Sequence, residues 1–122
     1  MQVNFEDERP IFLQIAEQIE DAILSGAFPE ETQIPSTTEI SVSYKINPAT
    51  ALKGINILVD SGIVYKKRGV GMFVSTGAVK SLREKRRMEF SEKYITALVK
   101  EAKRLNLSKQ DIISMIERGF DQ

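Results

Sequence analysis

The apolar positions of this chain change period from segment to segment. Ile11, Ile15, Ile19 and Ile23 recur every fourth residue, flanked by Ala16, Ala22 and Leu24. That stripe predicts an amphipathic helix over 10–25, with Pro10 suited to a first helical position and Gly26 to a left-handed C-cap. Phe28-Pro29-Glu30-Glu31 reads as a turn, and Gln33-Ile34 as at most a short extended piece. Ser36-Thr37-Thr38-Glu39 has capping-box spacing: the Ser36 hydroxyl accepts from the backbone of Glu39, and the Glu39 carboxylate reaches back. It opens a second helix to about Tyr44, with Ile40 and Tyr44 inward. Asn47-Pro48 is a third start signal, an N-cap followed by a proline that loses nothing at the first helical position. The helix it opens runs to about Ser61, with Ala51, Leu52, Ile55, Leu58 and Val59 on its apolar face, and Gly62 stops it.

Ile63-Val64-Tyr65 and Met72-Phe73-Val74 are β-prone runs around Lys66-Lys67-Arg68-Gly69-Val70-Gly71, which predicts a hairpin with a basic, glycine-punctuated tip. A long helix is expected over 79–105, with Tyr94, Ile95, Leu98, Val99, Ala102 and Leu105 forming a wide apolar stripe and Asn106 capping its end. Ser108-Lys109-Gln110-Asp111 has the form of another capping box and opens a last helix carrying Ile112, Ile113, Met115 and Ile116. Two short helices across a tight turn, then a basic hairpin, make a winged helix-turn-helix. The fold class is therefore α+β, mainly α: a winged helix-turn-helix over 1–77 with a two-helix tail over 78–122.

Composition removes whole classes of chemistry. The 122 residues contain no Cys, His or Trp. Disulfides, thiol nucleophiles, common zinc sites and imidazole bases are thereby excluded. No paired carboxylates or nucleophile–base spacing converge on a cleft, so an enzyme is not expected. Nothing in the residues asks for a cofactor or a metal; the cluster Glu6-Asp7-Glu8 reads as a solvated arm. No apolar run approaches the roughly 20 residues of a membrane span, and the first residues lack the form of a signal peptide. A soluble, cytoplasmic protein is expected.

Zero net charge hides a gradient. Residues 1–31 hold eight acids and one base, residues 32–79 two acids and five bases, and residues 80–122 seven acids and eleven bases. The basic middle coincides with the helix-turn-helix and hairpin, which favours a double-stranded DNA partner. The third helix can enter a major groove, with Pro48, Ala49, Thr50, Lys53, Asn56 and Ile57 outward. The cationic tip suits the minor groove, where glycine lets the backbone approach closely. The run Arg83, Lys85, Arg86 and Arg87 reads as a solvated face. The tail helices are too short to enclose a core alone, which points to a homodimer. Tyr94, Ile95, Leu98, Val99, Ala102, Leu105, Ile112, Ile113 and Ile116 are its expected seam.

The residues also carry a family resemblance. Pro10-x-x-x-Gln14-Ile15, Ile23-x-x-Gly26, Ile34-Pro35-Ser36 and Asn47-Pro48-Ala49-Thr50 occur in order, followed by Asp60-Ser61-Gly62-Ile63-Val64 and Gly69-Val70-Gly71-Met72-Phe73-Val74. Together they resemble the GntR family of bacterial transcription regulators over about residues 8–75. The Asn-Pro-x-Thr opening and short tail are similar to its YtrA-like subfamily. The resemblance implies a homodimeric repressor of a pseudo-palindromic operator, often that of a nearby ABC-transporter operon. It assigns DNA contacts to Asn47, Ala49, Thr50 and Lys53, and to the wing glycines Gly69 and Gly71. The whole expected DNA-binding set is Ser36, Thr37, Thr38, Asn47, Pro48, Ala49, Thr50, Lys53, Lys66, Lys67, Arg68, Gly69 and Gly71. Thr38 stands where the family often has Arg, and Glu30 where it commonly has Gly. Two matters stay open: whether a small-molecule effector binds near the tail, and whether the winged helix instead serves as a module binding another protein.

Overall fold

The computed structural model describes residues 3–122, in two compact units, Met1–Glu84 and Lys85–Gln122. The first unit is built on three helices, α1 (Ile11–Ser25), α2 (Thr37–Tyr44) and α3 (Pro48–Asp60). The isoleucine stripe of α1 lies in the core with Ile40, Tyr44, Ala51, Ile55 and Leu58. Pro10 sits one residue before α1, at its N-cap, and Gly26 ends it in the left-handed conformation at φ 86°. The Ser36 capping box is formed as expected, and Asn47 caps α3 by accepting from Ala49 N–H at 2.8 Å. Lys45, left-handed at φ 57°, closes α2, so only Lys45, Ile46 and Asn47 separate the two helices. The Tyr44 hydroxyl donates to Gln18 Oε1 at 2.8 Å and ties α2 to α1.

Strands β1 (Val64–Lys67) and β2 (Gly71–Val74) pair antiparallel, with Tyr65 opposite Phe73 and Lys67 opposite Gly71. Residues 31–34 line the other edge of β2: Gln33 bridges Phe73, Ile34 N–H donates to the Met72 carbonyl, and Val74 N–H to the Thr32 carbonyl. The first unit extends past the expected boundary at 77 because Ala78 and Leu82, at the start of α4 (Ala78–Phe90), are buried in its core.

The segment expected as one regular helix over 79–105 is interrupted. After α4 comes a π-helical turn, Ser91–Ile95, closed by Thr96 N–H on the Ser91 carbonyl, and then α5 (Thr96–Arg104). A π turn takes in more residues than an α turn, so the apolar positions on its two sides fall in different registers. Asn106, left-handed at φ 56°, turns the chain, and α6 (Lys109–Phe120) starts at the Ser108 capping box. No helix among the described residues is long and apolar enough to cross a membrane.

Candidate nucleic-acid interface

The burial of α3 sorts its side chains onto two faces. Ala51, Gly54, Ile55 and Leu58 face the core, whereas Ala49, Leu52, Lys53 and Asn56 are exposed. These four recur at i, i+3, i+4 and i+7, one side of a helix. Leu52 is a correction: expected inward, it is 42% exposed and belongs to the outward face. Ile57, expected outward, is half-buried against the core. At 100° per residue position 52 falls to one side of the stripe of Ala51, Ile55 and Leu58; position 57 falls further from it on the other side, and only tertiary packing half-buries it. The outward face thus offers a methyl at Ala49, an isobutyl group at Leu52, an ammonium at Lys53 and an amide at Asn56. Apolar groups suit the thymine methyl, an ammonium suits guanine, and an amide suits adenine.

The close packing beneath that face depends on Gly54. A Cβ at Gly54 would stand 2.8 Å from the Phe12 carbonyl oxygen and 3.1 Å from Ile15 Cγ2. This contact brings Phe12 of α1 beside the outward face, where Lys53 Nζ lies 4.1 Å above its ring centre. Lys53 is therefore parked on an aromatic face at the margin of α3, an arrangement worth about 0.5–1 kcal/mol at an exposed site.

The remaining polar candidates are partly committed to the protein. Ser36 Oγ accepts from Glu39 N–H at 3.0 Å, and Asn47 Oδ1 is used by its own cap. The hydroxyl proton of Ser36 and the amide nitrogen of Asn47 stay available as donors. Thr38 is exposed, Thr37 and Thr50 are half-buried, and Pro48 lies exposed at the start of α3.

The wing differs from expectation in where its cations stand. Lys66 and Lys67 belong to strand β1, and the turn is closed by Val70 N–H on the Lys67 carbonyl, leaving only Arg68, Gly69 and Val70 as the tip. Lys67 projects on the same side as Tyr65 and holds its Nζ 4.3 Å above the Phe73 ring, which stacks with Tyr65 at 5.9 Å. Lys66 and Arg68 are exposed. Gly69 is left-handed at φ 77°, as the tight turn demands. Gly71, at φ 145°, is constrained from inside the protein, because a Cβ there would run into the side-chain amide of Gln33.

Behind the wing two acidic residues act as anchors. Glu31 accepts from Thr76 N–H, from the Thr76 hydroxyl at 2.6 Å and from the Tyr65 hydroxyl at 2.7 Å. Those donors, with Lys67 nearby, hold its carboxyl below the ordinary glutamate value, and the same bond raises the Tyr65 hydroxyl. Glu30 accepts from the N–H groups of Gly77 and Val79 at 2.9 and 3.1 Å, which lowers its carboxyl too and caps α4. The left-handed residue of this turn is Glu31, at φ 64°, not Glu30. Sequence reading missed Leu52, Glu31 and Gln33. Strict counting at 100° per residue finds the first; no local signal finds the other two. Asp7, in the acidic arm, is paired with Arg9.

In the tail, Tyr94, Ile95, Leu98, Val99, Leu105 and Ile116 are exposed, whereas Ile112 and Ile113 are half-buried. Ala102, expected on the seam, is itself buried. It lies in the last turn of α5, its carbonyl accepting from Leu107 N–H at 2.9 Å where the chain leaves the helix.

Residues 12–74 match the family described as bacterial regulatory proteins, gntR family. An HTH-type transcriptional regulator of Bacillus subtilis, YhcF, is 31% identical over 119 residues, covering 96% of this chain and 95% of its own. The HTH-type transcriptional repressor YtrA of the same organism is 30% identical over 84 residues, 69% of this chain and 65% of its own. Among solved structures, a GntR-family regulator of Bacteroides thetaiotaomicron superposes with a TM-score of 0.80 at 32% identity, over 91% of this chain and 96% of that one. The match takes in α1, the helix-turn-helix and the wing, the elements that carry the outward face of α3. The chain belongs to the gntR family of bacterial regulatory proteins and is a YtrA-like, DNA-binding transcriptional regulator.

Proposed function

We propose that the chain is a cytoplasmic homodimeric repressor that binds a pseudo-palindromic operator, in the manner of the YtrA-like relatives. The observation that supports this most is the outward face of α3. It combines apolar, cationic and amide groups at i, i+3, i+4 and i+7 above a rigid three-helix packing. Ala49, Leu52, Lys53 and Asn56 read base edges in this scheme. Ser36, Thr37, Thr38, Asn47, Pro48 and Thr50 meet the phosphates flanking the groove, through hydroxyl and amide donors and helix N-termini. Lys66 and Arg68 supply cations beside the minor groove, with Gly69 allowing close approach. Lys67 and Gly71 belong to the wing's internal construction rather than to its contact surface.

The tail supplies the second half of the argument. Tyr94, Ile95, Leu98, Val99, Leu105 and Ile116 leave large apolar side chains exposed on helices too short to cover them. A second copy covers them symmetrically, and a two-fold dimer presents two α3 helices to half-sites one helical turn apart. The regulated genes would be those next to its own, a transporter operon among the candidates.

Fluorescence anisotropy tests the reading. The purified chain is titrated against a duplex from upstream of its own gene and against a scrambled duplex, across a salt series. The expected result is tight binding of the first at two chains per site, falling steeply with salt. Equal, weak binding of both duplexes would remove sequence reading by α3 and favour a partner protein on that face.

A further inference from the structure

Gln33 is remote from the hairpin in sequence and against it in space. Its backbone bridges Phe73, and its side-chain Nε2–H donates to the Val70 carbonyl at 3.0 Å, across 37 residues. Val70 N–H donates in turn to the Lys67 carbonyl at 2.9 Å. Both backbone polar groups of the tip residue are thus held, one by the wing and one by a side chain that precedes α2. Gly71 makes the room, since any Cβ there would occupy the space of the Gln33 amide. A tip flanked by Gly69 and Gly71 is otherwise costly to order, because glycine loses more backbone freedom than any other residue.

We propose that Gln33 is a positioning residue for DNA binding: it holds the Arg68–Val70 tip in place from behind, presents Lys66 and Arg68 to the nucleic acid, and does not itself touch it. The inference rests on the DNA-binding reading. A group that orders a contact loop in the free protein removes that ordering cost from the binding step. The position requires a donor of this length. Glutamate has the same shape but turns an acceptor toward the Val70 carbonyl, so Gln33→Glu breaks the bond while keeping the packing.

The test uses a duplex enriched by the wild-type chain from a random 30-base-pair library. Gln33→Ala and Gln33→Glu are each expected to weaken its binding about three- to tenfold, with the melting temperature lowered only by the few degrees that one net hydrogen bond is worth. In a Lys66→Ala/Arg68→Ala background the further loss from Gln33→Ala is expected to vanish, whereas beside Lys53→Ala it persists in full. Equal multiplication of the loss in both backgrounds would show that Gln33 contacts DNA or acts through the whole fold, and would overturn the proposal. Backbone NMR relaxation supplies a readout that needs no DNA: in Gln33→Glu the order parameters of Arg68, Gly69 and Val70 are expected to fall. Unchanged values would overturn the proposal as well. Failure of the wild type to enrich any duplex would instead count against the DNA-binding reading.

Discussion

At Gly54 the first and third helices approach more closely than any side chain allows. Alanine is the better helix former by about 1 kcal/mol, yet its methyl would press on the Phe12 carbonyl oxygen at 2.8 Å. Backbone cannot swing aside as a side-chain tip can, so overpacking wins. Gly54→Ala is expected to destabilise the protein by about 1–3 kcal/mol in urea denaturation; wild-type stability would mean that α1 backs away without cost. The neighbouring Lys53 raises a different question, because its ammonium rests on the Phe12 ring at 4.1 Å. Lys53→Ala is expected to weaken operator binding by about 1–3 kcal/mol where it reads a base edge. A base contact shows as relaxed specificity at one position, and a phosphate contact as a shallower salt dependence. Unchanged binding on both counts would leave Lys53 as a packing residue of α1.

The elements of the first unit are started and stopped by local devices but are locked together by distant ones. Glu39 and Asn47 act on N–H groups within three residues, whereas Glu30 caps α4 across 47 and 49 residues. Glu31 adds bonds to strand β1 and to Thr76, and it holds a left-handed backbone to do so. Both carboxyls lie below their ordinary value of 4.5 in the folded state. Groups of that kind contribute stability above the unfolded value, and it is lost as pH falls through the folded one. Wild-type urea midpoints are therefore expected to drop as pH falls below the ordinary glutamate value of 4.5, and a Glu30→Gln/Glu31→Gln variant to show a flatter profile there. Identical slopes would mean that other carboxylates carry the acid sensitivity.

For the whole molecule, the proposed dimer places its seam on the tail. Leu98 and Val99 sit on α5 with exposed apolar side chains, beside Tyr94 and Ile95 on the π turn. Placing a charge there opposes burial against a second copy far more than it disturbs a free surface. Leu98→Glu/Val99→Glu is expected to sediment as a monomer where the wild type sediments as a dimer, and to bind a half-site duplex as the wild-type unit does while losing the full-site advantage. An unchanged dimer would move the seam off α5, Met115 and Phe120 of α6, with Ile116, being the next exposed apolar group.

By itself the sequence determined the helix starts, the left-handed stop at Gly26, the order of helix-turn-helix and hairpin, and the family. Their causes reach only three or four residues along the chain: a cap bonds the next turn, and a stripe repeats at the helical period. Only the tertiary structure decided that Ile57 packs against the core, that Lys66 and Lys67 stand in the strand while Arg68, Gly69 and Val70 form the tip, and that Ala102 is buried. It also decided that Gln33 braces the wing and that Glu30 and Glu31 fasten the start of α4. The bonds of Gln33, Glu30 and Glu31 join groups 34 to 49 residues apart, and their partners are chosen by how α1, α3 and the sheet pack.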